Sequence, residues 1–377
     1  MNAVDRLGAL LDTLDSRHRR RVLSPRQGLD FASNDYLGLA GSQLLGQAAQ
    51  QALDRGVPLG SGGSRLLRGN HPEHEALEQK AAAFFGAEAA LFMGGGFQAN
   101  QAIFSALPAA EDLVLHDVLV HASAHEGMRA GRAQTHAFRH NDPGDARRAA
   151  ATWRAAGGSG QIWIAVESVY SMQGDFAPLQ ELSALAREWD AVLVVDEAHA
   201  TGVYGPRGRG RAHGLDAELV TLHTCGKGLG VSGGLICGPQ VMIETLINRA
   251  RPFVYATAPA PFTAALASAA LDLLQSNRNL AQAARQRIRH AHDAARHHGI
   301  AQKALCSQII PVILGDDVRT MATAAALQAE GFDVRGIRPP TVPRGTSRLR
   351  VSITGNVDNS EITALFQTLA DLQSAAA

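Results

Sequence analysis

The chain has 377 residues, more than the ~250–300 residues at which a single hydrophobic core stops growing. Lys and Arg together number 35, as do Asp and Glu, so bulk charge indicates neither a nucleic acid nor an anionic membrane as partner. The first residues lack the apolar stretch of a signal peptide, and no apolar run reaches the ~18 residues of a membrane span. The cysteines have neither metal spacing nor even pairing, which predicts small buried side chains at Cys225, Cys237 and Cys306. We therefore expect a soluble, cytoplasmic protein with two domains.

The first forty residues contain one amphipathic helix and an extended piece, which we expect to pack with the C-terminal part of the chain. After them, short β-rich runs alternate with longer stretches of helical period; the runs include residues 113–116, 162–167, 191–196 and 219–224. This alternation predicts an α/β fold, with a mainly parallel central sheet flanked by helices. The run at 191–196 is apolar up to its final Asp196, as expected for a strand buried on both faces.

The pattern changes near Arg251. Residues 262–300 have a helical pattern, and a helix around 318–330 separates the strand-like runs 308–314, 332–335 and 348–353. This succession predicts a smaller α+β domain. The predicted organisation is an N-terminal segment over residues 1–41, a large domain over 42–255 and a small domain over 256–377. The small domain is discontinuous, because the N-terminal segment packs with it.

A lysine flanked by glycines, Lys227, follows the run 219–224. The glycines on both sides permit positive φ and let a bulky ring approach closely. A lysine in a desolvated cleft becomes a nucleophile and a base, because its pKa falls there, and it can form a Schiff base with an aldehyde cofactor. A solvated loop lysine is the alternative interpretation of this segment alone. Thr224, one helical turn earlier, supplies a hydroxyl group within plausible reach.

Asp196 ends the run 191–196, and His199 follows three residues later. A carboxylate at the C-terminal end of a central strand lies where α/β sheets bind ligands. Paired with a pyridine nitrogen it keeps that nitrogen protonated, and His199 would reach the phenolic oxygen of the same ring. The string Asp-Glu-Ala-His also occurs in helicase-type ATPases, which additionally need a Gly-x-x-x-x-Gly-Lys-Ser/Thr loop. The segment around Lys227 is not such a loop, which argues strongly against a nucleotide-binding ATPase.

Three further segments follow predicted strands. The glycine-rich turn 94–97 leads into a helical stretch, and such a turn points free backbone N–H groups at an anion, although a simple tight turn fits the residues equally well. His121 can stack on a planar ring or be a core histidine. Ser171 can bond the oxygen of that ring or be an ordinary turn serine.

The arginines form two groups. Arg348 and Arg350 alternate on one face of a predicted strand, where a guanidinium fork can clamp a carboxylate; a solvated edge strand is the alternative. The basic run Arg17–Arg21 is either a solvated helix face or a contact for an acidic substrate.

These motifs, in this order and spacing, resemble the α-oxoamine synthase family of fold-type I pyridoxal-phosphate enzymes. The resemblance covers nearly the whole chain and includes residues 32–39, 60–65, 94–97, 121–123, 196–199, 224–228 and 338–350. It implies pyridoxal 5'-phosphate as cofactor and the decarboxylative condensation of L-alanine with an acyl thioester, carried on coenzyme A or on a carrier protein. A glycine-using member, such as a 2-amino-3-ketobutyrate ligase, another α-oxoamine synthase, and a catalytically silent protein of this fold are the alternatives.

The resemblance also implies roles for individual residues. Lys227 would carry the cofactor, Asp196 would bond its pyridine nitrogen and His121 would stack on its ring; with His199 they form the catalytic set. Further cofactor contacts would come from Gly96, Phe97, Ser171 and Thr224 and, across a homodimer interface, from Tyr255 and Thr257. The substrates would contact Arg19, Asn34, His121, Thr341 and Arg350. No metal, nucleic acid or membrane partner is expected.

Overall fold

The computed structural model describes residues 1–277, 279–300 and 307–375. Its internal contacts divide the chain into two compact units. The large unit comprises Asn34–Ser171 and Asp175–Arg285. The small unit comprises Met1–Ser33, Met172–Gly174 and Gln286–Ala377, so it is assembled from three separate stretches of sequence.

The helices of the described residues are α1 Ala3–Ser16, α2 Gln43–Asp54, α3 Pro72–Phe85, α4 Gly96–Ala106, α5 Ala122–Ala130, α6 Pro143–Ala155, α7 Leu179–Glu188, α8 Gln240–Arg249, α9 Arg251–Val254, α10 Pro261–Ser276, α11 Asn279–His297, α12 Asp317–Ala329 and α13 Asn359–Ala375. Short π-helical and 3₁₀ turns span Arg65–Gly69 and Pro206–Gly208. Several helices begin where a polar side chain satisfies a first-turn N–H group. Ser42 accepts the N–H of Leu45 at the start of α2, for example.

The strands are β1 Leu29–Asp30, β2 Ala89–Met93, β3 Leu113–Asp117, β4 Gln134–Phe138, β5 Ile162–Glu167, β6 Val192–Asp196, β7 Glu218–Thr224, β8 Gly234–Gly238, β9 Ile309–Gly315, β10 Phe332–Asp333, β11 Arg335–Ile337 and β12 Ser347–Ser352. The large unit holds one seven-stranded sheet in the order β2-β8-β7-β6-β5-β3-β4. Within it β8 runs antiparallel to both of its neighbours, and the other neighbouring pairs are parallel. The predicted α/β fold with a mainly parallel sheet is confirmed.

The large unit extends further along the chain than its predicted end at residue 255. Helix α10 belongs to it, because its apolar side chains Ala264, Ala267 and Leu271 join a buried cluster with Leu45 of α2 and Leu77 of α3. The observed division therefore falls after Arg285, about one helix and a half beyond the expected position. An alanine-rich helix has the same apolar periodicity whichever sheet it packs on. The sequence of α10 therefore did not show which unit it belongs to.

The small unit contains a three-stranded antiparallel sheet in the order β11-β12-β9 and a short parallel pair, β1 with β10. The N-terminal residues up to Ser33 lie in this unit. Its central strand β12 carries Arg348 and Arg350, both buried, so the interpretation of this segment as a solvated edge strand is wrong.

Two other sequence expectations concern the membrane and the thiols. No helix among the described residues is both long and apolar enough to cross a bilayer. Cys225 and Cys237 are buried free thiols, as predicted, and burial raises the pKa of Cys225 to about 12. Cys306 lies outside the described residues.

Candidate active site

The candidate site of the large unit lies at the carboxyl edge of its sheet. Glu167, Asp196 and Thr224 are the last residues of β5, β6 and β7, which are neighbours in the sheet. Lys227 lies in the turn directly after β7, and His199 in the turns after β6. Parallel strands bring residues that are far apart in sequence to one edge, and this edge is where open α/β sheets bind ligands.

Lys227 takes part in a chain of polar contacts. Its Nζ lies 2.8 Å from Nε2 of His199, and Nδ1 of the same imidazole lies 2.6 Å from the hydroxyl of Tyr36. That hydroxyl donates to Oδ1 of Asn34 at 2.9 Å. His199 and Tyr36 are almost fully buried, so both side chains are fixed by packing as well as by hydrogen bonds. The Lys227 amine therefore lies against an imidazole that is itself buried and fixed by Tyr36.

Asp196 belongs to a second chain of contacts. Its Oδ2 accepts a hydrogen bond from Nδ2 of Asn100 at 2.9 Å, and Nδ2 of Asn100 also lies 2.9 Å from Oγ of Ser123. That hydroxyl lies 2.7 Å from Nδ1 of His121, which caps the start of α5. The backbone N–H of Ala198 donates to Oδ1 of Asp196 at 2.9 Å. The carboxylate and the imidazole are thus oriented by shared partners.

At this edge of the sheet, burial and neighbouring charges shift the pKa values of Glu167 and His121 in opposite directions. Burial, and then the negative charge of Asp196, raise the pKa of Glu167 to about 8, so this carboxyl group is protonated at neutral pH. Burial lowers the pKa of His121; the attraction of Asp196 opposes that shift and the charge of Lys227 adds to it. Oppositely shifted neighbours of this kind are concentrated at functional sites.

An anion cradle lies beside these groups at the N-terminus of α4. The first N–H groups of a helix lack intrahelical partners and point outward, which suits a phosphate. A Cβ atom at Gly96 would lie 2.3 Å from Oγ1 of Thr224, so only glycine lets this hydroxyl approach the helix end. The donors of a phosphate site, a nucleophilic amine and the half-buried carboxylate of Asp196 therefore occur at or just after adjacent strand ends, and they fit pyridoxal phosphate.

The other predicted cofactor contacts of the large unit occupy the following places. Phe97 meets the ring of His121 edge to face, with centroids 6.5 Å apart. The backbone N–H of Ser171 donates to Oε2 of Glu167 at 3.1 Å, which ties its turn to the end of β5. Tyr255 and Thr257 are exposed after α9, and the guanidinium of Arg251 lies 5.1 Å from the Tyr255 ring centroid.

The predicted substrate residues of the small unit form their own contacts there. Nη1 of Arg350 donates to Oγ of Ser352 at 2.8 Å. Arg19 forms an ion pair with Asp317, through Nε at 3.0 Å and Nη2 at 2.9 Å. The hydroxyl of Thr341 instead accepts a hydrogen bond from Arg21 at 3.0 Å.

Several residues of the large-unit site were not assigned roles from the sequence; they are Tyr36, Asn100, Ser123 and Glu167. Asn100 is four residues beyond Gly96 on α4, so helical spacing after the glycine turn was a usable signal. Glu167 ends a predicted strand beside the one that ends in Asp196, and strand ends of a parallel sheet meet. Tyr36 gave no comparable local signal, because its partner His199 is distant in sequence.

Comparison with known proteins identifies the family. The sequence profile described as aminotransferase class I and II matches residues 26–369. An 8-amino-7-oxononanoate synthase of Anaeromyxobacter sp. (strain K) is 40% identical over 98% of this chain and 95% of its own. Another of that description, from Geobacter sulfurreducens, is 40% identical over 92% of this chain and 89% of its own.

Solved structures agree with the sequence comparison. A serine palmitoyltransferase from S. paucimobilis, solved with a bound PLP–myriocin aldimine, has a TM-score of 0.90 and 26% identity, and the match covers 100% of this chain and 99% of that one. The 8-amino-7-oxononanoate synthase from Francisella tularensis has a TM-score of 0.75 and 25% identity, with 93% and 98% covered. The chain belongs to the aminotransferase class I and II family of fold-type I pyridoxal-phosphate enzymes and, within it, is an α-oxoamine synthase-type acyltransferase.

Proposed function

We propose that this protein binds pyridoxal 5'-phosphate at Lys227 and condenses L-alanine with a pimeloyl thioester. The products would be 8-amino-7-oxononanoate, CO₂ and the free thiol, a step of biotin biosynthesis. The observation that carries the proposal is the contact of Lys227 Nζ with His199 at 2.8 Å, on the sheet edge where Asp196 ends β6. The 40% identity to 8-amino-7-oxononanoate synthases supports the choice of substrates, and so does the Arg-Pro-Pro-Thr-Val-Pro form that begins at Arg338.

The cofactor site would use the contacts of the large unit. When bound, pyridoxal phosphate supplies an electron sink that stabilises negative charge at the substrate Cα. Asp196 would hold a proton on the ring nitrogen, with its orientation set by Asn100. Gly96, Phe97 and Thr224 would bind the phosphate at the start of α4, and Ser171 would serve the phenolic oxygen.

The proton transfer falls to Lys227. Its amine would take the proton from the alanine Cα and return a proton to that carbon after CO₂ has left. His199 and Tyr36 prepare the amine for this transfer, because the buried imidazole fixes Nζ within hydrogen-bond distance. Holding two reactants and a base together can supply ~7–11 kcal/mol of the barrier. The carbon–carbon bond forms as the thiolate leaves the acyl carbon, so the atoms balance without an oxidant or reductant.

Substrate recognition is assigned to arginines. Arg350, buried in β12, would grip the alanine carboxylate, and Asn34 and Thr341 would contact the substrates. The small unit also has a groove of about 580 Å³ whose lining combines apolar and cationic residues. They are Leu11, Leu14, Arg17, Arg19, Arg20, Arg21, Pro339, Pro340, Val342 and Arg344. An acyl chain that ends in a carboxylate matches this lining, whether it arrives on coenzyme A or on a carrier protein.

We also propose a homodimer in which each subunit completes the site of the other. Tyr255 and Thr257 are exposed, and the family resemblance implies that their segment reaches the phosphate site of the partner subunit. Leu59, Leu67 and Phe97 are exposed apolar side chains of the same unit, as a subunit interface requires.

The second candidate is a serine palmitoyltransferase-like activity, because a structure of that description has the higher TM-score of the two compared, 0.90 against 0.75. Both curated relatives described above, at 40% identity, are 8-amino-7-oxononanoate synthases, and this favours the first candidate. Backbone similarity is shared across the family, whereas substrate contacts depend on side chains, so sequence identity bears more directly on the substrate.

A panel of amino acids and acyl thioesters decides between them. L-alanine, glycine and L-serine would each be paired with pimeloyl and palmitoyl thioesters, on coenzyme A and on a carrier protein. We expect turnover to be fastest with L-alanine and a pimeloyl donor. Faster turnover with glycine, or with L-serine and palmitoyl thioester, would assign the chain to another branch of the family.

A further inference from the structure

A histidine of the large unit is held between two carboxylates, apart from the contacts of Lys227. Nδ1 of His140 lies 3.0 and 3.1 Å from the two carboxylate oxygens of Asp117, and its Nε2 lies 2.7 Å from Oδ2 of Asp175. The Asp117 side chain is completely buried. The ring of Tyr170 meets the imidazole edge to face, with centroids 4.5 Å apart. Two carboxylates can each receive a proton from the ring only when both nitrogens carry one, so the geometry matches an imidazolium.

The charges around this ring favour the same state. Burial by itself lowers the pKa of His140, but hydrogen bonds and charge attraction from Asp117 and Asp175 outweigh it and raise the pKa to about 9. Burial opposes ionisation of Asp117 too, yet the hydrogen bonds from His140 and two backbone N–H groups hold its pKa below the ordinary value. The neighbouring cation Arg139 is paired with Asp142 and Asp145 instead.

The two carboxylates adjoin different loops. Asp117 ends β3, and its Oδ1 accepts the N–H of Leu119 at 2.8 Å, in the loop that leads to His121. Asp175 follows the turn after β5, and its backbone oxygen accepts the N–H of Tyr170 at 3.0 Å, beside Ser171. A cation that bonds both carboxylates therefore links the loop before His121 to the segment that bears Ser171.

We propose that His140 is a positioning residue, whose cation links these two loops and so fixes the groups that face the cofactor ring. The roles of His121 and Ser171 rest on the proposed function, whereas the link between the loops rests on the distances alone. Above the pKa of His140 the ring keeps one proton and can donate to only one carboxylate. The link then weakens, and both loops gain freedom.

The sign of the pH effect follows from the raised pKa. The stability contributed by His140 is complete below its ordinary pKa of about 6.5, declines as the pH rises, and is lost above about 9. A positioning role adds a second effect, namely that the affinity for pyridoxal phosphate falls over the same pH range.

The test compares His140→Gln with His136→Gln, a matched change at an exposed histidine of β4. Unfolding is followed from pH 6.5 to 10 without cofactor, and the dissociation constant of pyridoxal phosphate is measured by its visible absorbance. We expect His140→Gln to remove the fall in stability and to raise the dissociation constant at pH 7 about tenfold or more, whereas His136→Gln should match the wild type. If His140→Gln lowers stability but binds the cofactor with wild-type affinity and pH dependence, the positioning role is refuted.

Two further outcomes need their own tests, namely a variant that does not fold and a wild type that does not bind the cofactor. If His140→Gln does not fold, Asp175→Asn takes its place. This variant removes the charged contact between His140 and Asp175, and it should raise the dissociation constant of pyridoxal phosphate severalfold. An unchanged dissociation constant would refute the proposal. If the wild type itself binds no pyridoxal phosphate, the proposed function fails. The link is then tested by unfolding alone, where a pH dependence of stability identical in wild type and His140→Gln would refute it.

Discussion

Lys227 and Arg350 are both basic side chains with proposed roles in the reaction of the amino acid, yet the two units hold them in different ways. Lys227 lies in a glycine-flanked turn, and its amine faces an imidazole at 2.8 Å. Arg350 is buried inside the central strand of a sheet and donates to the hydroxyl of Ser352. A group that must give and take a proton is paired with a titratable neighbour, whereas a group that must only bind is fixed in a rigid element.

The largest effect is expected from Lys227→Ala. The variant should fold and bind the cofactor weakly, but it should lose turnover by roughly 10³-fold or more, because it lacks the amine proposed to move the Cα proton. Borohydride should fix the cofactor to the wild type and not to this variant. Lys80→Ala is the control, since Lys80 forms a surface pair with Asp272. Covalent trapping and turnover in Lys227→Ala would place the reactive amine elsewhere.

A smaller loss is expected from Asp196→Asn. An amide cannot keep a ring nitrogen protonated as a carboxylate does, so turnover should fall on the order of 10²-fold while the cofactor still binds. Asp216→Asn, at an exposed carboxylate paired with Arg187, should leave turnover unchanged. Wild-type rates in Asp196→Asn would mean that another group is the ring partner.

Arg350→Ala tests the other side of the comparison. We expect KM for L-alanine to rise far more than KM for the acyl donor, since losing a charge-assisted pair costs about 1.5–3 kcal/mol. Arg335→Ala is the matched control. Arg335 lies opposite Arg350 on the neighbouring strand β11, and it forms an ion pair with Asp333. An equal rise in both KM values would remove the specific role of Arg350.

The mildest change is Tyr36→Phe, which deletes the hydroxyl at 2.6 Å from His199 and keeps the ring. The loss of one hydrogen bond to the imidazole should cost roughly 0.5–1.5 kcal/mol, which corresponds to a fewfold decrease in kcat. The decrease in kcat should exceed any change in KM for L-alanine, because Tyr36 acts on Lys227 through His199 and would reach the substrate indirectly, through Asn34. A change confined to KM would show instead that Tyr36 contacts the substrate.

The fold was predictable where periodicity was strong. The runs that became β3, β5, β6 and β7 are apolar, and their order with the helices indicated a parallel sheet. Two strands of the seven-stranded sheet were missed. The segment Gln134–Phe138 is mostly polar and exposed, since β4 lies at the sheet edge, and Gly234–Gly238 has only three apolar residues between two glycines. Neither has the alternation of apolar and polar residues that identifies a strand in isolation.

That Asp196, His199 and Lys227 lie at one edge of the sheet was predictable from the sequence, because these residues occur in motifs that follow predicted strands. Tyr36, Asn100 and His140 gave weaker signals, because each acts through a partner that is distant in sequence: Tyr36 meets His199, Asn100 meets Asp196, and His140 meets Asp175. A composition of balanced charge cannot reveal which acids and bases are paired. The raised pKa of His140 depends on two carboxylates that only the folded sheet brings together.

The most direct test of the central claim follows both leaving groups in one reaction. The protein, loaded with pyridoxal phosphate, is given L-alanine labelled with ¹³C in its carboxyl group and a pimeloyl thioester. We predict labelled CO₂ and free thiol in equal amounts, together with an amino ketone of the mass of 8-amino-7-oxononanoate. Thiol released without labelled CO₂, or neither product with any acyl donor of the panel, would contradict the account.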